Sequence, residues 1–306
     1  MSDRQINLGL EIPLLCLLAL LWGSSYLFVK IAVETIPPLT LIASRVTIAA
    51  IFLCTIVRWK GETYPRDRRT LAQLLVQAFL NSIISWTLLA WGQQYVDSGL
   101  ASVLNSTSPL FVFFITLIFT RHETTSVLKL VGACLGVAGV MLIVGTDALQ
   151  GLGQQVLAQL AVLSGAMLYA CAAIYGKKFA HLSATVTAAC IMVWASVCLI
   201  PLSLLIEQPW TLTPSTRSLS AALALGVMCT GVALLIYFRL IKTLGSMGVA
   251  SQGYLRAGVG VMLGIVVLGE HITPMIALGI GAALLGVIAI NFPTRKQPIR
   301  KQELRQ

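Results

Sequence analysis

Ten apolar stretches, most of them about twenty residues long, run through this chain almost end to end, near 10–33, 39–57, 71–94, 98–119, 126–145, 155–178, 182–206, 218–242, 247–268 and 272–292. About twenty residues of helix cross a bilayer's hydrocarbon core, where every backbone polar group must be satisfied within the protein. The expected fold is therefore an all-α integral membrane protein of ten transmembrane helices. Charged residues make up 10% of the chain, against roughly 25% in a soluble domain. The loops are short and leave no room for a soluble domain. The first stretch is too long for the apolar core of a signal peptide, and its small and polar residues fall in mid-helix, so it is expected to be retained.

The stretches repeat. Leu21-Trp22-Gly23-Ser24-Ser25-Tyr26, leading to Lys30, returns 147 residues later as Leu168-Tyr169-Ala170-Cys171-Ala172-Ala173, leading to Lys177. Gly99-Leu100-Ala101-Ser102 returns as Gly248-Val249-Ala250-Ser251, and Glu123, Gly132 and Gly139 as Glu270, Gly279 and Gly286. Each unit holds five spans, an odd number, so the second would enter the membrane with opposite orientation. Residues 10–146 and 154–292 are thus expected to form two inverted five-helix repeats, followed by a basic tail, 293–306. Inverted repeats of this kind build alternating-access carriers whose substrate site lies where the halves meet.

The net charge of +10 is confined to one side. Arg58, Lys60, Arg66, Arg68 and Arg69 share a loop, and Arg295, Lys296, Arg300, Lys301 and Arg305 share the tail. With the N-terminus inside, both lie on the cytoplasmic face together with Arg121, Lys129, Lys177, Lys178, Arg239 and Lys242. The opposite loops keep only Lys30 and Arg217 among basic residues. The positive-inside rule then puts both termini in the cytoplasm. The basic excess is accounted for by anionic lipid heads, and no nucleic acid is implied.

Polar residues at membrane depth are costly and tend to face a cavity or the bundle interior. Arg45 lies about two turns into the second span and Arg256 near the middle of the ninth, too deep to snorkel comfortably. Arg256 would suit a carboxylate or phosphate, gripped in bidentate fashion, or carbonyls freed at a helix break. Lys30 stands near a span end, where snorkelling accounts for it equally well. Asn81, Ser85 and Trp86 can share one face of the third span, as can Ala101, Asn105 and Ser108 in the fourth. Pro109 frees a carbonyl beside Asn105-Ser106-Thr107-Ser108, which predicts a midspan break. The equivalent run, Gln252 to Gly258, has glycines in place of proline and is expected to be comparably loose. Trp22, Tyr26 and Tyr169 lie off the interfacial belt, so they either line a cavity or pack in the core. Gly132 and Gly136 form a GxxxG suited to close helix packing, and homodimerisation through it is a second use.

No acidic residue or histidine sits at midspan, so proton coupling would fall on Glu34, Glu123 or Glu270, near span ends. There is no phosphate-binding P-loop, and His122-Glu123-Thr124-Thr125-Ser126 stops short of a zinc-peptidase motif. The seven cysteines all fall within apolar spans without metal-ligand spacing and read as small apolar residues. No cofactor or metal is implied. An intramembrane enzyme would need an acid/base pair at depth, which the spans do not offer.

Leu21-Trp22-Gly23-Ser24-Ser25 with Lys30, Pro37-Pro38 before Arg45, Ser106 to Leu110, Tyr254-Leu255-Arg256 and Gly269-Glu270 resemble, in their order, the drug/metabolite transporter superfamily. Within it the chain is similar, over roughly residues 12–292, to ten-helix exporters with two EamA-type domains. Members are secondary carriers in the inner membrane of bacteria that export or exchange small metabolites, amino acids or drugs. By that resemblance Trp22, Arg45, the polar face at Asn105 and Arg256 would line or support a central cavity. Second halves in the family often carry proline near the position of Ala257, which this chain lacks. The embedded glutamate of the four-helix multidrug exporters is also missing.

The functional expectation is a carrier, not an enzyme, that exports or exchanges a small polar or amphiphilic metabolite such as an amino acid or other carboxylate. The candidate substrate-binding residues are Trp22, Tyr26, Lys30, Arg45, Asn81, Trp86, Asn105, Tyr169, Gln252 and Arg256. A multidrug exporter of broad specificity is the alternative.

Overall fold

A computed structural model describes residues 8–119, 127–149, 153–179, 181–237, 239–240 and 252–291, all helical or in connecting loops. Glu123, the basic tail, and the side chains of Gln252 and Tyr254 lie outside the described residues. The helices are α1 (Leu8–Ala32), α2 (Pro38–Trp59), α3 (Arg68–Gly92), α4 (Ser98–Ile118), α5 (Val127–Leu149), α6 (Gly153–Gly176), α7 (Ala184–Ile206), α8 (Thr216–Tyr237), α9 (Gln252–Leu268) and α10 (Pro274–Asn291). Seven of them are long and apolar enough to cross a membrane, and shorter apolar runs occupy Leu130–Leu142, Leu255–Leu268 and Pro274–Gly286. Large apolar residues such as Ile51, Val197, Leu205, Val266 and Leu278 are exposed, as a lipid-facing surface requires.

Helix starts follow local chemistry. Pro38 opens α2 at a position where its missing N–H costs nothing. Asp67 caps α3 by accepting from the N–H groups of Arg69 and Thr70. The Thr70 hydroxyl, with those N–H groups, holds the Asp67 carboxyl below its usual range. Ser215 caps α8 through the Ser218 N–H.

The helices pack reciprocally. If each helix of the first half is matched with the one five places later, α1 on α9 corresponds to α6 on α4, α1 on α8 to α6 on α3, and α2 on α8 to α7 on α3. All six contacts occur. The remaining extensive pairings, α2 with α7, α4 with α9 and α5 with α10, map onto themselves. At the α5–α10 seam a Cβ on Gly139 would meet Ala283 N, and Gly279 O at 2.6 Å. A Cβ on Gly286 would meet Gly132 O and Gly136 N, each at 2.5 Å. Only glycine admits this backbone approach, and the GxxxG of α5 is thereby filled by α10.

Side-chain bonds define two faces. On the far face, where α1 ends, Glu207 accepts from Leu39 N and Thr40 N at 3.0 and 2.6 Å, closing α7 onto the start of α2. Glu270 accepts from Ser98 N and Gly99 N at 2.6 and 2.9 Å, and Ser218 Oγ donates to Ile31 O. The near face, where α1 begins, carries Ser183 Oγ donating to Glu62 at 2.6 Å and the Arg239–Glu11 ion pair at 3.1 Å. Glu62 thus holds the hydroxyl of the residue that opens α7, whereas Glu207 accepts directly from the first N–H groups of α2.

Helical irregularity falls partly where the sequence placed it. α4 is interrupted at Ser106-Thr107, between Ser98–Asn105 and Ser108–Phe119. The break expected at the equivalent place in the second half is absent, because α9 is continuous from Gln252 to Leu268. Without proline its N–H groups keep their carbonyls. A different equivalent pair is irregular instead, since α3 opens into a π-turn at Phe79–Ile83 and α8 at Val227–Val232.

Candidate functional site

Between the halves lies a cavity of about 730 Å³. Its lining starts at Arg45, Leu89 and Asn105, in the far half of their helices, and reaches Gly176, Phe179, Leu182 and Ala184 at the near-face ends of α6 and α7.

Several of its polar groups are held by a neighbouring helix. Arg45, buried on α2, donates from Nε to the Thr230 hydroxyl on α8 at 2.9 Å. Its guanidinium lies 4.0 Å from the centroid of the Trp86 ring on α3, a cation–π stack. Trp86 Nε1 in turn donates to the Tyr169 hydroxyl on α6. Asn105 Nδ2 donates to the Tyr26 hydroxyl at 2.7 Å, tying the broken α4 to α1. Trp22 and Tyr237 pack with ring centroids 5.2 Å apart.

The π-turns explain how Thr230 is placed. A π-turn widens the helix by one residue and displaces a backbone bond. Thr230 Oγ1 donates to Leu225 O, five residues back, at 2.8 Å, and Ser85 Oγ does the same to Leu80 O at 2.5 Å. The widened turns put Asn81, Cys229 and Thr230 on the cavity wall.

Eight of the ten residues singled out from sequence line this one cavity: Trp22, Tyr26, Arg45, Asn81, Trp86, Asn105, Tyr169 and Arg256. Lys30 does not; its Nζ donates to Val96 O at 2.8 Å on the far face. The Gln252 side chain lies outside the described residues. Sequence reasoning passed over Gln77, Thr230, Met192 and Tyr237, which also line the cavity. Gln77 and Thr230 could have been flagged as polar residues on apolar helices and Met192 as the repeat equivalent of Arg45, whereas Tyr237 carried no signal apart from ordinary packing.

The repeat-equivalent positions Trp22 and Tyr169, Tyr26 and Ala173, and Arg45 and Met192 all face the cavity. The scaffold is thus shared while the chemistry at each pair differs. No acidic side chain is among the described lining residues. Arg256 Nε, Asn105 Oδ1 and Gln77 Oε1 are buried without hydrogen-bond partners among the described residues.

Comparison with known proteins gives this arrangement a context. The profile of the EamA-like transporter family matches residues 9–145 and again 156–292. The chain is 27% identical over 276 residues to the "Uncharacterized inner membrane transporter YedA" of Escherichia coli K12, covering 90% of this chain and 88% of that one. It is 24% identical over 281 residues to the "Uncharacterized transporter YoaV" of Bacillus subtilis 168, covering 92% and 96%. A solved structure titled only as the crystal structure of a protein shares the fold, with TM-score 0.65 and 17% identity over 92% of this chain and 97% of that one. The chain therefore belongs to the EamA-like transporter family.

Proposed function

We propose that this protein is a secondary carrier that exports or exchanges a small polar or amphiphilic metabolite, an amino acid or other carboxylate, by alternating access across a bacterial inner membrane. The observation that carries this reading is the cavity itself, walled by both halves and with two arginines and no carboxylate among its described lining residues. A guanidinium in a low-dielectric site grips carboxylate or phosphate through paired N–H donors. Two such groups disfavour a lipophilic cation, and so count against a multidrug exporter of that kind.

The mechanism rests on ten membrane crossings arranged as inverted repeats, 10–146 and 154–292. The reciprocal helix contacts support it, as does the family profile matching twice. The loop holding Arg58, Lys60, Arg66, Arg68 and Arg69 is on the near face, which the positive-inside rule makes cytoplasmic, with both termini. The cavity lining reaches that face, while Glu207 and Glu270 tie helix ends together on the other. In this orientation the state described is the one that loads from the cytoplasm.

The test begins with metabolite profiling of medium from overexpressing and deletion cells, followed by counterflow of the differing solutes in proteoliposomes. Arg256→Ala is expected to abolish counterflow of the confirmed substrate. Unchanged transport by that variant would remove Arg256 from the site, and absence of any counterflow would overturn the carrier.

A further inference from the structure

We infer that the cavity takes a small molecule carrying two negative charges, with Arg45 and Arg256 each meeting one anionic group or both meeting one dianionic head. This rests on the carrier reading and narrows its substrate class.

The first ground is position. Arg256 O lies 2.9 Å from where a Cβ on Gly23 would stand. Ser24 Oγ is 3.7 Å from Cys229 Sγ, and Arg45 is bonded to the next residue, Thr230. The backbone of Arg256 and the guanidinium of Arg45 are therefore both placed beside the Gly23-Ser24 step in α1. They approach from different helices, α2 of the first half and α9 of the second.

The second ground is which N–H groups remain unused. Arg45 spends Nε on Thr230 and one face of its guanidinium on Trp86, so its outer edge is the fork still available. Arg256 Nε is buried without a partner among the described residues, so its side edge is the fork available there. Each fork matches the two oxygens of one carboxylate or two oxygens of a phosphate.

The third ground is charge balance. Withdrawing an ion from water is costly even after relaxation, and no carboxylate among the described lining residues offsets either arginine. A monoanion leaves one guanidinium uncompensated. A zwitterion leaves both charges in place overall and brings an ammonium group that no lining carboxylate meets. A doubly negative ligand neutralises the site. The orphan acceptors Asn105 Oδ1 and Gln77 Oε1, on residues of the same lining, remain for a hydroxyl or amide N–H of the ligand.

The test uses the full chain in nanodiscs. Binding is measured for the straight dicarboxylates from malonate to adipate, for the monoamide of each, and for glycerol 3-phosphate. At least one dicarboxylate, or the phosphate ester, is expected to bind about tenfold or more tightly than the monoamides, equivalent to about 1.4 kcal/mol. A preferred dicarboxylate identifies two separate anionic groups, and a preferred phosphate ester identifies one shared head. Arg45→Gln and Arg256→Gln are each expected to reduce dianion binding to the monoamide level, with monodispersity reporting that they fold. Thr55→Val, an exposed position of α2 that is not among the cavity-lining residues, is the control expected to keep the preference. If no dianion binds, if monoamides bind equally well, or if both arginine variants keep the preference, the inference is overturned. A dianion bound with this selectivity but not moved in proteoliposomes keeps the site and overturns the carrier. Transport of a monocarboxylate or zwitterion with dianions ignored keeps the carrier and overturns the site.

Discussion

At the scale of single residues the cavity is a chain of dependencies in which Trp86 is the pivot. Its ring face holds the Arg45 guanidinium and its N–H reaches Tyr169. A desolvated cation–π contact is worth about 2 kcal/mol, so Trp86→Leu is expected to slow initial transport by about tenfold or more. Trp86→Phe keeps the ring face, loses only the Tyr169 bond, and should fall in between. Initial rates in proteoliposomes separate the three proteins; equal rates for Leu and Trp would show that the stack does not orient Arg45. The polar residues of this site were legible because charge and amide groups at membrane depth are rare enough to stand out. Lys30 has the same chemistry but meets a backbone carbonyl on the far face. Its spacing along α1 could not distinguish that carbonyl from the cavity, since the turn leading to Val96 comes from another helix.

At the scale of elements, the break in α4 was legible and the π-turns were not. Pro109 removes a donor, which is a covalent fact visible in the sequence. A π-turn removes nothing and needs only one carbonyl satisfied from five residues ahead, a task given to Ser85 and Thr230. Hydroxyls in apolar helices do that and many other things. Deleting Met228, an exposed residue within the second π-turn, should restore an ordinary helix and carry Thr230 away from Arg45. The expected result is a protein that still purifies as a single species but loses ligand binding. Retained binding would show that the π-turn does not position the site. The continuous α9 is the converse case. Glycine permits looseness without requiring it, and here Gly260 instead gives room for Ser102 and Tyr26.

For the whole molecule, the division into two halves was written in the spacing of the apolar runs, because a bilayer imposes its thickness on every span. How the halves embrace could not be read that way, since it depends on which small residues meet. The reciprocal seam makes a quantitative prediction. Gly139→Val and Gly286→Val drive a side chain into equivalent backbone, an overpacking that costs about 2 kcal/mol. The two variants should lower the melting temperature by similar amounts, and unequal losses would mean that the seam is not symmetric in energy. Viewed as inheritance, the same seam ties the two copies together. A change on α5 must be answered on α10, so drift there proceeds by compensating pairs. The cavity carries no such obligation, since Arg45 already faces Met192 across the repeat. New specificities can therefore evolve by altering one copy alone, while the other keeps its share of the scaffold.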